Sequence, residues 1–313
     1  MPRITARVAA GALLVVALPL SGCGSAPSAA PISATTTAPS ASESTKVPAS
    51  TQVPAPAIDV SGPLAAIEAE YGVRVGVSAL SADGRAVAYR ADERFGYAST
   101  LKVFAAGLLL GTTTPAERSA TVTWTQDDLD TTGYSPVTAE HLLDGLTLEQ
   151  LAEAAVRQSD NTALNLVLEA VGGPDALQQF LRSLGDDATV VSSYEPELNT
   201  VTEGSDANTT TPAAFTTSLQ ALLKDESVAD TLLAWMSGNA TGDALIRAGV
   251  PDGWVVADRS GGAGGIRNDI AVVTTPGGER ILLSILTTKT DPDADYDDAV
   301  VAETARAVLG ALQ

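Results

Sequence analysis

From Ile58 onward the apolar residues follow two rhythms, one of period two and one of helical period. Alternation in "VRVGVSAL" (73–80) and "RAVAYR" (85–90), around Asp83-Gly84, predicts a β-hairpin. Three more strands are predicted at "GWVVADRS" (253–260), "NDIAVVTT" (268–275) and "RILLSILTT" (280–288), the last two joined by Pro276-Gly277-Gly278. Helical spacing marks Pro63–Tyr71, closed by Gly72, and a final helix with the stripe Val301, Ala305, Val308, Leu309 and Leu312. Between these ends, from about residue 99 to 245, the period is mostly helical and no internal repeat is visible. Strands at both ends with helices between them predict a mixed α/β plus all-α architecture. It comprises a five-stranded sheet domain from residues 58–93 and 246–313, interrupted by a helical domain at 94–245.

Residues before Ile58 follow neither rhythm. Arg3 and Arg7 precede an apolar run from Val8 to Leu20, a basic and then apolar pattern that predicts an export signal over residues 1–22. Leu20-Ser21-Gly22-Cys23 resembles a bacterial lipobox, which implies cleavage before Cys23 and lipid on its sulfur; the alternative is an ordinary signal with an incidental cysteine. Residues 23–57 are Ser, Thr, Ala and Pro with few large apolar groups, and are expected to form a disordered tether. The product is expected outside the cell membrane, or on its periplasmic side, held there by the lipid. With 18 basic and 38 acidic residues the net charge is −20, which excludes nucleic acid and any electrostatic hold on anionic lipid. Cys23 is the only cysteine, so the folded part has no disulfide.

Within "YASTLKVFAAGLLL" (97–110), Lys102 interrupts an apolar run, in a chain with four lysines. It stands three residues after Ser99, so on a helix the two side chains share a face. A serine hydroxyl is a poor nucleophile until a neighbour accepts its proton, and a lysine kept from water has a lowered pKa and can do so. Ser159-Asp160-Asn161 precedes an apolar helix and reads equally as a cap. Glu195-Pro196-Glu197-Leu198-Asn199 places a carboxylate and an amide four apart, able to hold a water, although a solvated acidic loop has the same composition. Arg259-Ser260-Gly261 ends a strand with a cation and a hydroxyl suited to a carboxylate.

Together, and in this order, these motifs resemble those of the class A β-lactamases. The likeness covers about residues 61–313, including "GYSPVT" (133–138), "VGGPDALQQFLRSLGD" (171–186) and "MSGNATGDALIRAGVP" (236–251). It implies a β-lactamase/transpeptidase-like fold, an antiparallel sheet with flanking helices and an active site between the two parts. It also implies a cofactor-free monomer that hydrolyses penicillins, with cephalosporins as a further candidate substrate class, conferring antibiotic resistance. Ser99 becomes the acylated nucleophile, with Lys102 or Glu195 as the base that activates it. Ser159 becomes the proton donor to the lactam nitrogen, and Glu195 with Asn199 the holder of the hydrolytic water. Asn161 would hold the substrate's side-chain amide and Tyr134 would wall the cleft. Arg259, Ser260 and Gly261 would receive the substrate carboxylate, and the N–H groups of Ser99 and Gly262 the oxyanion.

Several positions depart from the family pattern. Arg259 stands in the place of the usual lysine, a change found in members that favour penicillins. "GGAGGI" (261–266) is one residue short, leaving Arg267 as second cation because Leu245 fills the other slot. The neck of the Glu195 loop, normally an arginine–aspartate pair, reads Ser193 and Asn208, which predicts a looser loop and a higher melting temperature on combining Ser193→Arg with Asn208→Asp. His141, the only histidine, is read as structural, so no zinc set can form. "DPDADYDD" (291–298) is read as a helix-capping acidic run, since it lacks the glycine and glutamate of a calcium loop. The rival functions are a penicillin-binding D,D-peptidase, which lacks the Glu195–Asn199 type of pair, and a non-catalytic lipoprotein that binds wall fragments or drug.

Overall fold

The structure is a computed structural model that describes residues 58–291 and 294–313. The signal (1–22), Cys23 and the tether (23–57) lie outside the described residues. Helix α1 (Ser61–Tyr71) stops at Gly72, whose φ of 59° releases the chain into β1 (Val73–Ser81). A turn at Gly84 (φ 90°) returns it as β2 (Ala86–Tyr89). The short β3 (Phe95–Gly96) leads through a 3₁₀ turn, Ala98–Leu101, into α2 (Lys102–Thr112). Next come α3 (Pro115–Arg118), β4 (Thr121–Val122), α4 (Gln126–Thr132), α5 (Pro136–Glu140) and β5 (Leu146–Thr147). They are followed by α6 (Leu148–Arg157), α7 (Asn161–Val171) and α8 (Gly173–Ser183). A long loop holds a second 3₁₀ turn at Glu197–Asn199 before β6 (Thr209–Thr210), α9 (Pro212–Leu222), α10 (Glu226–Ser237) and α11 (Ile246–Gly249). The chain closes with β7 (Val255–Ala263), β8 (Ile266–Thr274), β9 (Arg280–Lys289) and α12 (Asp298–Ala311).

The main sheet has the order β2-β1-β9-β8-β7, every pair antiparallel. Its two faces follow the alternation in the sequence. Val75, Val77, Val273, Leu283 and Ile285 pack on Leu64 of α1 and on Val301, Val308 and Leu309 of α12. Ile270, Val272, Leu282 and Leu286 point the other way, into a core shared with Leu101, Phe104, Leu151, Leu164 and Phe215. α2 lies at the centre of that second core, buried from Lys102 through Leu110.

The segment from 94 to 245 is mainly helical, but it also contains two ribbons, β3 with β6 and β4 with β5. Two-residue strands are too short to show a period in sequence. β7 also runs three residues beyond its expected end. Gly261 pairs with Asn268 and Gly262 with Arg267, so only Gly264 and Gly265 are left to make the turn, the first at φ 52°. Glycines carry no apolar alternation, which hides this extension from pattern reading.

Candidate active site

Ala98 has φ 45°, a conformation that non-glycine residues rarely adopt, and it starts the 3₁₀ turn carrying Ser99. The expected single α-helix is thus a 3₁₀ turn joined to α2. The relation between Ser99 and Lys102 survives, because residues three apart eclipse one another in a 3₁₀ turn. Strand β7 lies directly against the turn. A Cβ at Gly261 would come 2.9 Å from Thr100 N and 3.1 Å from Ser99 N, so this approach requires glycine.

Lys102 is fully buried, and its Nζ donates to Asn161 Oδ1 at 2.6 Å, to Ser159 O at 2.8 Å and to Ser159 Oγ at 3.4 Å. Ser159 Oγ in turn donates to Ser99 Oγ at 3.1 Å and accepts from Arg259 NH2 at 2.7 Å. Ser159 sits at φ 59°, and the loop is pinned by its neighbour. Asp160 caps α7 by accepting from Ala163 N, and its other oxygen accepts from Val137 N and Thr138 N. Asn161 also donates to Thr132 O at 2.9 Å, so both ends of its amide are engaged.

Glu195 reaches the same point from the long loop. Its Oε1 lies 3.1 Å from Lys102 Nζ, both side chains being fully buried, and its Oε2 accepts from Asn199 Nδ2 at 2.5 Å. Asn165 on α7 clamps the Glu195 backbone, donating to its carbonyl and accepting from its N–H, each at 2.9 Å. Burial pulls Lys102 down to about 8, with Glu195 opposing the shift and Arg259 adding to it. Arg259 is fully buried too and is lowered to about 10 by burial, against the pull of Asp258, Asp269 and Glu195.

The rest of the site rims this centre. Tyr134 is 58% exposed, and its carbonyl accepts from Asn161 N at 2.9 Å. Ser260 Oγ lies 2.6 Å from Thr241 Oγ1, and Gly262 is exposed on β7. Arg267 lies beside Gly262, stacks 4.9 Å from the centre of the Tyr296 ring and donates from Nε to Asp298 at 2.5 Å. The acidic run does cap α12, through Asp297 to Ala299 N.

The loop neck differs from expectation. Asn208, 4% exposed, accepts at Oδ1 from Tyr97 OH at 3.1 Å and from Ser192 Oγ at 2.9 Å. Its Nδ2 donates to Glu197 O at 3.1 Å and to Thr200 O and Ser193 Oγ, each at 3.3 Å. Two neutral residues therefore do not leave the loop loose, because one amide ties both of its arms and the floor. Among the described residues no cluster of three metal-ligating side chains occurs, and His141 lines a cleft with Leu146 and Glu153.

Residues 60–312 match the profile of the beta-lactamase enzyme family. The structure resembles that of a class A beta-lactamase from Clostridium kluyveri, with a TM-score of 0.77 and 38% identity over 80% of this chain and 97% of that one. The chain belongs to the class A β-lactamases. It is 43% identical over 254 residues to a beta-lactamase of Bacillus licheniformis, covering 79% of this chain and 82% of that one. It is 42% identical over 257 residues to beta-lactamase FAR-1 of Nocardia farcinica, covering 80% and 82%.

Seen as a class A β-lactamase, the chain also uses residues that sequence reasoning missed. Asn165 lies four after Asn161 on α7, a spacing that puts both amides on one face and could have flagged it. Asn268 donates to Gly96 O at 2.7 Å and accepts from Thr287 N, tying β8 to the strand before Ser99. Thr241 carries no local signal, and Tyr296 and Asp298 lie in the capping acidic run with nothing local to link them to Arg267.

Proposed function

We propose that this protein hydrolyses the β-lactam amide of penicillins through an acyl-enzyme on Ser99. The observation that carries the reading is the convergence of Glu195 on Lys102 at 3.1 Å, with Ser159 linking Lys102 to Ser99. In the first half-reaction Ser99 Oγ attacks the lactam carbonyl and its proton passes into the Lys102–Glu195 network. The N–H groups of Ser99 and Gly262 receive the developing oxyanion, a contact typically worth about 10²–10³ in rate per donor. Ser159 donates its proton to the leaving nitrogen as the C–N bond breaks, and is resupplied from Lys102. In the second half-reaction Glu195 takes a proton from a water that attacks the ester, and a proton returns through Lys102 and Ser159 to Ser99, which leaves as its hydroxyl. Among the described residues Glu195 Oε1 meets only Lys102 Nζ, at 3.1 Å, and Asn199 Oδ1 has no hydrogen-bond partner, which supports both as acceptors for that water.

Arg259, aimed at Ser159 through NH2, supports the binding of a carboxylate beside the reacting bond, assisted by Ser260 and, further out, Arg267. Arginine in the place of the usual lysine, a replacement the resemblance associates with members that favour penicillins, supports the same preference here. Tyr134 and Asn161 would flank the acyl side chain, Asn161 through an amide that must exchange one of its present partners. The family resemblance supports a monomer as the working unit. The Leu20–Cys23 sequence supports export and a lipid anchor on the outer face of the membrane. Cys23→Ala is expected to release activity into the medium, and retention at the membrane would count against the anchor.

Benzylpenicillin and a chromogenic cephalosporin test the reaction directly. Steady turnover is the expected result. A persistent mass adduct on Ser99 without turnover indicates a D,D-peptidase, and neither signal indicates a binding protein.

A further inference from the structure

The strand pair that carries Arg259 also buries two carboxyl groups for which the reaction has no use. Asp258 on β7 and Asp269 on β8 are both 0% exposed. Asp269 stands opposite Ser260 in the β7–β8 register, which places it diagonally from Asp258 on one side of the sheet. One oxygen of each has a donor: Arg247 NH2 to Asp258 Oδ1 at 2.5 Å, and Ile246 N to Asp269 Oδ2 at 3.1 Å. The other two, Asp258 Oδ2 and Asp269 Oδ1, have no protein donor among the described residues.

The two carboxyls interact with each other, and each is pushed above the usual carboxylate range, first by burial. Charged and polar groups face them from every side. Arg247 of α11 and Asn239 oppose the rise at Asp258, while Arg267 of β8 and the Ile246 N–H oppose it at Asp269. Two bare carboxylates here would repel and leave two oxygens orphaned, each an expensive loss in a buried place. A proton on either one removes both penalties, because the O–H then donates to the facing O⁻ in a charge-assisted bond.

We propose that Asp258 and Asp269 hold one proton between them, and that the negative charge left on this carboxyl–carboxylate pair keeps the adjoining buried Arg259 charged for the substrate carboxylate. The last clause rests on the reading of Arg259 given above. Both residues are positioning residues, since neither touches the reacting atoms. Asp258 directly precedes Arg259 on β7 and Asp269 stands opposite Ser260, which follows it, so both lie next to Arg259 along the strand pair and act in the direction that preserves its charge.

Infrared difference spectroscopy on the intact protein tests the shared proton without substrate. A protonated-carboxyl band is expected at pH 7, absent in Asp269→Asn; its absence from the parent protein overturns the proposal. Stability gives a second readout. A carboxyl raised in the fold retains a proton that the unfolded chain releases above about pH 4, so stability falls as pH climbs from there towards the folded value. Asp269→Asn should remove this slope, and an unchanged slope counts against the pair. For the link to Arg259, the double variant Asp258→Asn/Asp269→Asn should raise KM for benzylpenicillin on the order of tenfold, a loss of about 1.4 kcal/mol, with kcat within about threefold. Asp269→Asn alone keeps one negative charge and a donor, and should recover most of that loss. A band at pH 7 without the KM split would overturn the coupling to Arg259 while leaving the hydrolase reading intact.

Discussion

Lys102 with Glu195, and Asn208 with its neighbours, are both buried polar clusters beside Ser99, yet one carries full charges and the other none. Removing an ion from water costs several kcal/mol, recovered only when geometry and further hydrogen bonds are good. Lys102 meets that condition through Ser159 O and Asn161 Oδ1 in addition to Glu195. Asn208 has a different task. It joins Tyr97, Ser192 and two loop carbonyls, and an amide does this with no ion to desolvate. Of these two clusters, the charged one is buried where the proposed proton transfer runs, and the neutral amide serves where a loop only has to be held.

The largest expected effect lies in the charged cluster. Glu195→Ala should slow deacylation by about 10²–10⁴ and leave a penicilloyl mass on Ser99; turnover at the parental rate would remove Glu195 from the reaction. Arg259→Ala should raise KM for benzylpenicillin about 10–100-fold, read in steady-state kinetics, because a hydrogen bond to a charged group is worth about 1.5–3 kcal/mol. In the neutral cluster, Asn208→Ala should cost about 1–3 kcal/mol in chemical denaturation while leaving the pH profile in place. A pH profile shifted by that substitution would show that the two clusters are not separate.

The pH dependence of acylation should be smaller. Lys102 is lowered to about 8 in the free protein and Glu195 holds it up, so Glu195→Gln should move it below that value. Pre-steady-state acylation by Glu195→Gln should therefore climb about tenfold per pH unit and level off below pH 8, if Lys102 is the base. A flat profile assigns the proton to another acceptor. The smallest change concerns the neck. Ser193→Arg with Asn208→Asp should lower the melting temperature by a few degrees, roughly 1–2 kcal/mol. A carboxylate there loses the donor that Glu197 O and Thr200 O now share. A higher melting temperature would restore the expectation drawn from sequence.

What was legible in the sequence was whatever is local or spaced by a fixed rule. The three-residue step from Ser99 to Lys102 kept its meaning even in a 3₁₀ turn, and the strands at both ends followed their alternation. The replacement at the neck was not legible. Ser193 and Asn208 announce the loss of an ion pair, but Tyr97, 111 residues from Asn208, gives no sign that it will supply a hydroxyl. Likewise, the run 291–298 reads as a helix-capping stretch, and nothing near Asp298 points to Arg267, 31 residues earlier. β3 and β6 exist because Phe95 and Thr210 meet in the fold, a contact no window of the chain contains.

Arg267 is gripped by the first residue of the last helix, whose buried stripe continues through Val308 to Leu312 just before the chain ends. Anything that frays the tail therefore reaches the cleft's outer guanidinium. A substitution that unseats Leu312 would then register as altered antibiotic affinity as well as lowered stability.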